Sequence, residues 1–237
     1  MAGVLQSQPG MRTGAMVLSV MLAWPAFAGE AEYRASVRSI AGTRSRLGRE
    51  LGAAATPRER AAVLARARTF LVEALRDRLA PAWFGTPWEF HGTTETPGEG
   101  AIACGYLVST LLRDAGFAVE RVRLAQQASE LIVRTLSPER DIRRFRSATQ
   151  AEDAEATRER GDGAYVVGLD YHVGLLVIRE GKAEFCHSAY LGPAVVTCEP
   201  AAGSAGMASS YHVVGPVTSD ATVARWLGGE PFPTRRR

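Results

Sequence analysis

One cysteine and two histidines of this 237-residue chain stand where thiol chemistry could be assembled. Cys104 follows Thr96-Pro97-Gly98-Glu99-Gly100, a turn-rich loop that can carry no helix. From Cys104 onward, apolar residues recur at Leu107, Val108, Leu111, Leu112 and Ala115. This is the stripe of one helix face, and Gly116 follows as a C-terminal cap. The spacing therefore puts Cys104 at the first turn of a buried helix. Free N–H groups and the positive end of the helix dipole favour a thiolate there. A cysteine so placed is either a nucleophile or a small core residue.

A nucleophilic cysteine needs a base, and four histidines are available: His91, His172, His187 and His212. Two of them can be placed by strand register. His172 to Ile178 and Ala183 to Ala189 read as strands joined by Arg179-Glu180-Gly181-Lys182. A two-residue turn or a four-residue loop here pairs Gly174 with His187 and His172 with Ala189. His172 and His187 then share one sheet face as diagonal neighbours, about 7–8 Å apart at the backbone. Gly174 leaves room between them for an imidazole or a substrate. A thiol at a helix start, a histidine on a facing strand and a second group orienting that histidine form the arrangement for nucleophilic acyl transfer. Helix-start N–H groups can stabilise the oxyanion. Cys186, His187, Cys198 and His172 can also be read as zinc ligands, but neither C-x-x-C nor H-x-x-x-H spacing is present. No cofactor or metal is expected.

The elements that must position these groups follow in order. Residues 31–52 and 57–80 read as two amphipathic helices, an N-terminal arm over 29–80. The second starts with Thr56 as cap, Pro57 at the first position and Glu59 at the third. The aromatic loop 81–94 carries Trp83, Phe84, Trp88, Phe90 and His91. Trp88 and His91, with Tyr106, are candidate walls of a substrate cleft, the alternative being core beneath a loop. Residues 121–136 read as a helix with Val122, Ala125, Leu131 and Ile132 facing inward. Residues 138–162 are dense in Arg, Glu and Asp, as in an exposed helix or an insertion. From Gly163 the period becomes that of strands, at 164–169, 172–178, 183–189, 194–198 and 211–214. A short helix over 219–227 closes the chain. Helices first and an antiparallel meander afterwards make an α+β protein, with the body over 81–230 and a basic tail over 231–237.

Formal net charge is only +3, so charge gives no case for nucleic acid as a partner. Arg12, the apolar run 15–23 and Ala26-Phe27-Ala28 form a secretory signal over 1–28. Met11 just before Arg12 is a second candidate start. No later segment is long and apolar enough to span a membrane. The mature chain is expected in the periplasm or outside the cell, an oxidising compartment. Three cysteines, Cys104, Cys186 and Cys198, then suit one disulfide and one free thiol. A hairpin centred on Gly192 sets Cys186 opposite Cys198, about 4.5–5.5 Å apart at Cα. Whether they are bridged or stay two separate thiols depends on the pair geometry.

Ile102-Ala103-Cys104-Gly105-Tyr106-Leu107-Val108, with its helix ending in Asp114-Ala115-Gly116, resembles the nucleophile helix of NlpC/P60-type cysteine peptidases. Tyr171-His172-Val173-Gly174-Leu175-Leu176 resembles that family's His-Val-Gly strand. Phe185-Cys186-His187-Ser188-Ala189 resembles the next strand, which carries the third polar residue. The resemblance covers about residues 84–215. It implies a papain-like NlpC/P60 fold, with the nucleophile helix packed on an antiparallel sheet. It further implies cleavage of amide bonds in cell-wall peptidoglycan peptides, with Cys104 as nucleophile, His172 as base and His187 as orienting residue. The alternatives are an acyltransferase or amidase on another amide or ester, and a non-catalytic envelope protein of the same fold.

Overall fold

The apolar runs after Gly163 become the centre of the molecule. A computed structural model describes residues 29–146 and 161–234. Its sheet is built from β1 (Arg143–Phe145), β2 (Gly163–Leu169), β3 (Val173–Arg179), β4 (Lys182–Ser188), β5 (Val196–Pro200) and β6 (His212–Pro216). The strand order is β1-β6-β2-β3-β4-β5, and every neighbouring pair is antiparallel. β2 is buried along its whole length and β3 along all but its last residue. Continuous apolar sequence marks strands covered on both faces.

Glu180 and Gly181 both adopt positive φ, 52° and 71°, as a two-residue type I′ hairpin turn requires. That turn pairs Leu175 with Cys186 and Leu176 with Phe185, the register the sequence predicts. The meander is incomplete, however. β6 returns across the sheet to pair with β2, where the Thr218 hydroxyl accepts from the Ala164 backbone at 3.0 Å. β1 then extends the sheet beyond β6. It lies within the stretch expected as an exposed helix or insertion, and its Arg144 bonds Glu130 and Glu139, each at 2.8 Å. Residues 147–160 of that stretch lie outside the described residues, as do the signal 1–28 and Arg235-Arg236-Arg237.

The helices cover one face of the sheet. α1 (Glu30–Ala53) and α2 (Pro57–Glu73) form the arm. Thr56 and Glu59 make the reciprocal capping box, as their spacing implies. α2 continues through a π-helical turn, Ala74–Leu79, into α3 (Ala80–Trp83). α4 (Cys104–Asp114) is the cysteine helix, and Gly116 follows it with φ of 94°. Residues 121–136, expected as one helix, divide into α5 (Arg121–Ala125) and α6 (Ser129–Leu136). The break serves contacts at both ends. The Ala125 carbonyl packs on Gly105, and the Ser129 hydroxyl donates to the Leu169 carbonyl at 2.7 Å. Val122, expected inside, is exposed. α7 (Asp220–Gly228) is the closing helix.

A continuous core joins the arm, α4, α7 and the helix-facing residues Val166, Val173, Leu175, Cys186 and Val213. Fully buried Trp83 and Trp226 are its largest members, and burying a large side chain contributes roughly 1.5–3 kcal/mol. Trp83 Nε1 donates to the Tyr33 hydroxyl at 3.1 Å, and that hydroxyl donates to Asp114 at 2.6 Å. The arm is thereby tied to the end of α4. The opposite sheet face buries Tyr165, Val167, Leu176, Phe185 and Val214 under Ala201 and Met207. The start of the expected basic tail is docked: Phe232 is buried and its N–H donates to the Ala118 carbonyl at 2.9 Å. Among the described residues no helix is long and apolar enough to cross a membrane.

Candidate active site

The chain before Cys104 is stitched in place on two sides. Ile102 N–H donates to the Pro87 carbonyl and Ala103 N–H to the Gly92 carbonyl, each at 2.9 Å. The Ile102 carbonyl accepts from the Ser188 hydroxyl at 2.7 Å, next to His187 in sequence. Ala103 is extended, φ −80° and ψ 159°, and α4 begins at Cys104. The thiol therefore sits on the first helical turn, as its loop-to-helix setting predicts. Gly105 is a steric requirement, since a Cβ there would collide with the Ala125 carbonyl oxygen.

The ionisation expected from the helix start is overturned. Burial pushes the Cys104 thiol up, outweighing the backbone N–H groups of Val173, Gly105 and Cys104 that pull it down. Desolvation disfavours a thiolate with no cation beside it, and the helix terminus is the weaker influence here.

The two histidines meet. His172 lies immediately before β3 and His187 lies on β4. His172 Nε2 and His187 Nδ1 are 2.9 Å apart, with ring centroids at 5.1 Å and planes at 73°. Burial, reinforced by the His187 charge, holds His172 down to about 3. Burial also lowers His187, while Glu199 opposes the shift. Both rings are therefore neutral at pH 7. The space beside Gly174 is not open for a substrate, because the Phe185 ring occupies it. Phe185 also stacks on His187, centroids 4.8 Å apart.

Cys104 and His172 line one cleft of about 690 Å³, together with Trp88, Phe90, His91, Tyr106, Gln126, Tyr171 and Tyr190. This size is typical of small-molecule sites. Among the described residues no hydrogen bond joins Cys104 to His172; they are neighbours in the wall. Catalytic contacts of this kind often tighten only when substrate binds. Among the described residues no Asp, Glu, Lys or Arg lines the cleft. Phe90, Tyr171 and Tyr190 stand 75%, 99% and 67% exposed, and Trp88 meets Tyr190 at 5.6 Å between centroids. Exposed aromatic clusters of this kind mark binding surfaces.

The structure thus brings Cys104, His172 and His187 to one place, and all three cleft candidates, Trp88, His91 and Tyr106, line the same cavity. Trp83, from the same aromatic loop, is core. Buried His212 lies elsewhere and bonds the Met207 carbonyl at 3.0 Å. Cys186 and Cys198 form a disulfide with Cα atoms 4.0 Å apart, which removes them as thiolate ligands for zinc, and Cys104 is the free thiol. Sequence reasoning missed Tyr171, Tyr190 and Gln126 in the cleft wall. It also missed Glu199, whose Oε1 lies 3.3 Å from His187 Nε2 without the alignment of a hydrogen bond. The signal for Glu199 was its place directly after Cys198, one residue beyond the strand expected over 194–198; the structure extends that strand to Pro200. Compared with known proteins, the chain matches no family model, no curated protein and no solved structure.

Proposed function

We propose that this chain is a thiol hydrolase with a papain-like fold of the NlpC/P60 kind, acting on an amide bond outside the cytoplasm. The observation that carries the reading is the 2.9 Å contact between His172 and His187 beside a cleft lined by both Cys104 and His172. Cys104 Sγ attacks the substrate carbonyl carbon while neutral His172 takes the thiol proton. The raised thiol and depressed imidazole favour proton transfer during attack over a resting ion pair. N–H groups at the start of α4 stabilise the oxyanion. The tetrahedral adduct collapses to a thioester as His172 returns the proton to the leaving amine. Water, deprotonated by His172, then cleaves the thioester, and Cys104 recovers its proton. His187 orients the His172 ring throughout.

Peptidoglycan peptides are the first substrate class. A second class, amides or esters with an apolar acyl part, is favoured by the uncharged aromatic wall, because wall peptides carry several carboxylates that a cation would normally meet. The test is mass spectrometry of purified muropeptides, N-acyl amides and acyl esters before and after incubation with the protein. The reading expects cleavage in at least one class and none by Cys104→Ala. Cleavage by Cys104→Ala at the wild-type rate, or no cleavage in any class, would overturn it. The latter result favours a non-catalytic envelope protein.

A further inference from the structure

We propose that Glu199 is a positioning residue that terminates the His172–His187 pair and fixes the tautomer of both rings. The inference rests on the thiol-hydrolase reading and adds a residue to it. A carboxylate can only accept a hydrogen bond. His187 Nε2 lies 3.3 Å from Glu199 Oε1. The contact is not aligned as a hydrogen bond, but a bare lone pair at Nε2 would face the carboxylate oxygen repulsively, so the ring proton is placed on Nε2. His187 Nδ1 is then a bare lone pair, and its 2.9 Å partner, His172 Nε2, must be the donor. His172 Nδ1 is left as the ring's only proton acceptor. The carboxylate thus selects, through two rings, the atom that can take the Cys104 proton. When His172 becomes charged during attack, the oriented His187 dipole and the Glu199 charge stabilise it.

The surroundings hold this geometry. The Ser204 hydroxyl donates to Glu199 Oε1. Glu199 stands opposite Phe185 across the β4–β5 ladder, and residues 185 and 187 share a face. The Cys186–Cys198 bridge joins the residues adjacent to His187 and Glu199. Gly206 closes on the His187 ring, where a Cβ would collide with Cε1. His187 is 4% exposed, so bulk water does not offer a general substitute for the carboxylate. Among the described residues, the His187 charge acts on His172 and Glu199 acts on His187.

The probe is hydrolysis of p-nitrophenyl acetate by wild type, Glu199→Gln and Cys104→Ala across pH 3–9, with far-UV circular dichroism as a folding check. Glu199→Gln is expected to lower kcat by about 10- to 100-fold, the scale of lost outer-shell partners, with KM little changed. Nitrogen-15 shifts of the histidine rings in Glu199→Gln should show the Nε2 tautomer of His187 no longer selected. A merely structural role would leave both rings protonated at Nε2. If Cys104→Ala matches wild type, the hydrolase reading itself fails. If activity depends on Cys104 while Glu199→Gln keeps wild-type kcat and ring tautomers, the role of Glu199 fails alone. Nitrogen-15 NMR of the histidine rings in the unmodified protein gives a second readout, independent of turnover and of variant folding. Both rings should be protonated at Nε2; a proton on His187 Nδ1 would overturn the proposal.

Discussion

Charging His172 should destabilise the folded protein over a defined pH window. Burial depresses this imidazole from 6.5 to about 3. Between those values the unfolded chain binds a proton that the folded chain refuses, so stability falls as pH falls. The contribution is absent well above pH 6.5 and complete below about pH 3. One pKa unit corresponds to about 1.4 kcal/mol, so the full loss is about 5 kcal/mol. Between pH 7 and pH 5 the linkage relation gives about 2 kcal/mol of it. The perturbation is His172→Gln, which removes the titrating group, and the assay is urea unfolding at both pH values. The variant starts from a lower stability because His187 loses its partner, but that offset cancels when the two pH values are compared. Wild type should lose about 2 kcal/mol more than the variant on going from pH 7 to pH 5. Losses equal to within about 0.5 kcal/mol, the usual limit for additive effects, would refute the buried, neutral His172 on which the mechanism depends.

The burial that raises Cys104 predicts that iodoacetamide labelling of the substrate-free protein accelerates only above the pH at which an ordinary cysteine reacts; acceleration at lower pH would mean a resting thiolate. The disulfide closes a chain separation of 12 residues, worth about 3 kcal/mol by loop-closure entropy. The double variant Cys186→Ser/Cys198→Ser should therefore melt about 6–12 °C lower, and an unchanged melting temperature would show that the bridge carries no such constraint. Gly206→Ala pushes a methyl group into the His187 ring. It should reduce kcat by about 100-fold, as misplacements of about 1 Å do, with the circular dichroism spectrum retained; wild-type kcat would show that the ring need not stay where it is.

The parts of the site set by local rules were legible in the sequence. Glu180-Gly181 dictates a tight turn, the turn dictates the β3–β4 register, and the register puts His172 and His187 on one face. The same logic around Gly192 brought Cys186 opposite Cys198. Apolar spacing after Cys104 sufficed to place the thiol on a first helical turn. What escaped depends on contacts between distant segments. The helix break after Ala125 answers to Gly105 and Leu169, and neither lies within the helix's own periodicity. Arg143–Phe145 has the composition of a solvated segment, yet β6 offers it a free edge and Glu130 and Glu139 hold its arginine. Gly174 looked like space, but Phe185 from the next strand fills it. The thiol's direction of shift was misjudged for the same reason: a helix start is a local feature, whereas desolvation is imposed by everything packed around it. Glu199 was hidden because its meaning depends on a ring pair whose far end it meets.

The central claim is that Cys104 carries an acyl group during turnover. Intact-protein mass spectrometry of samples quenched in acid during hydrolysis of p-nitrophenyl acetate tests it directly. An adduct of one acetyl group is predicted, mapping to Cys104 after proteolysis, discharged by hydroxylamine and absent from Cys104→Ala. Turnover with no adduct on Cys104, proceeding equally in Cys104→Ala, would contradict the account.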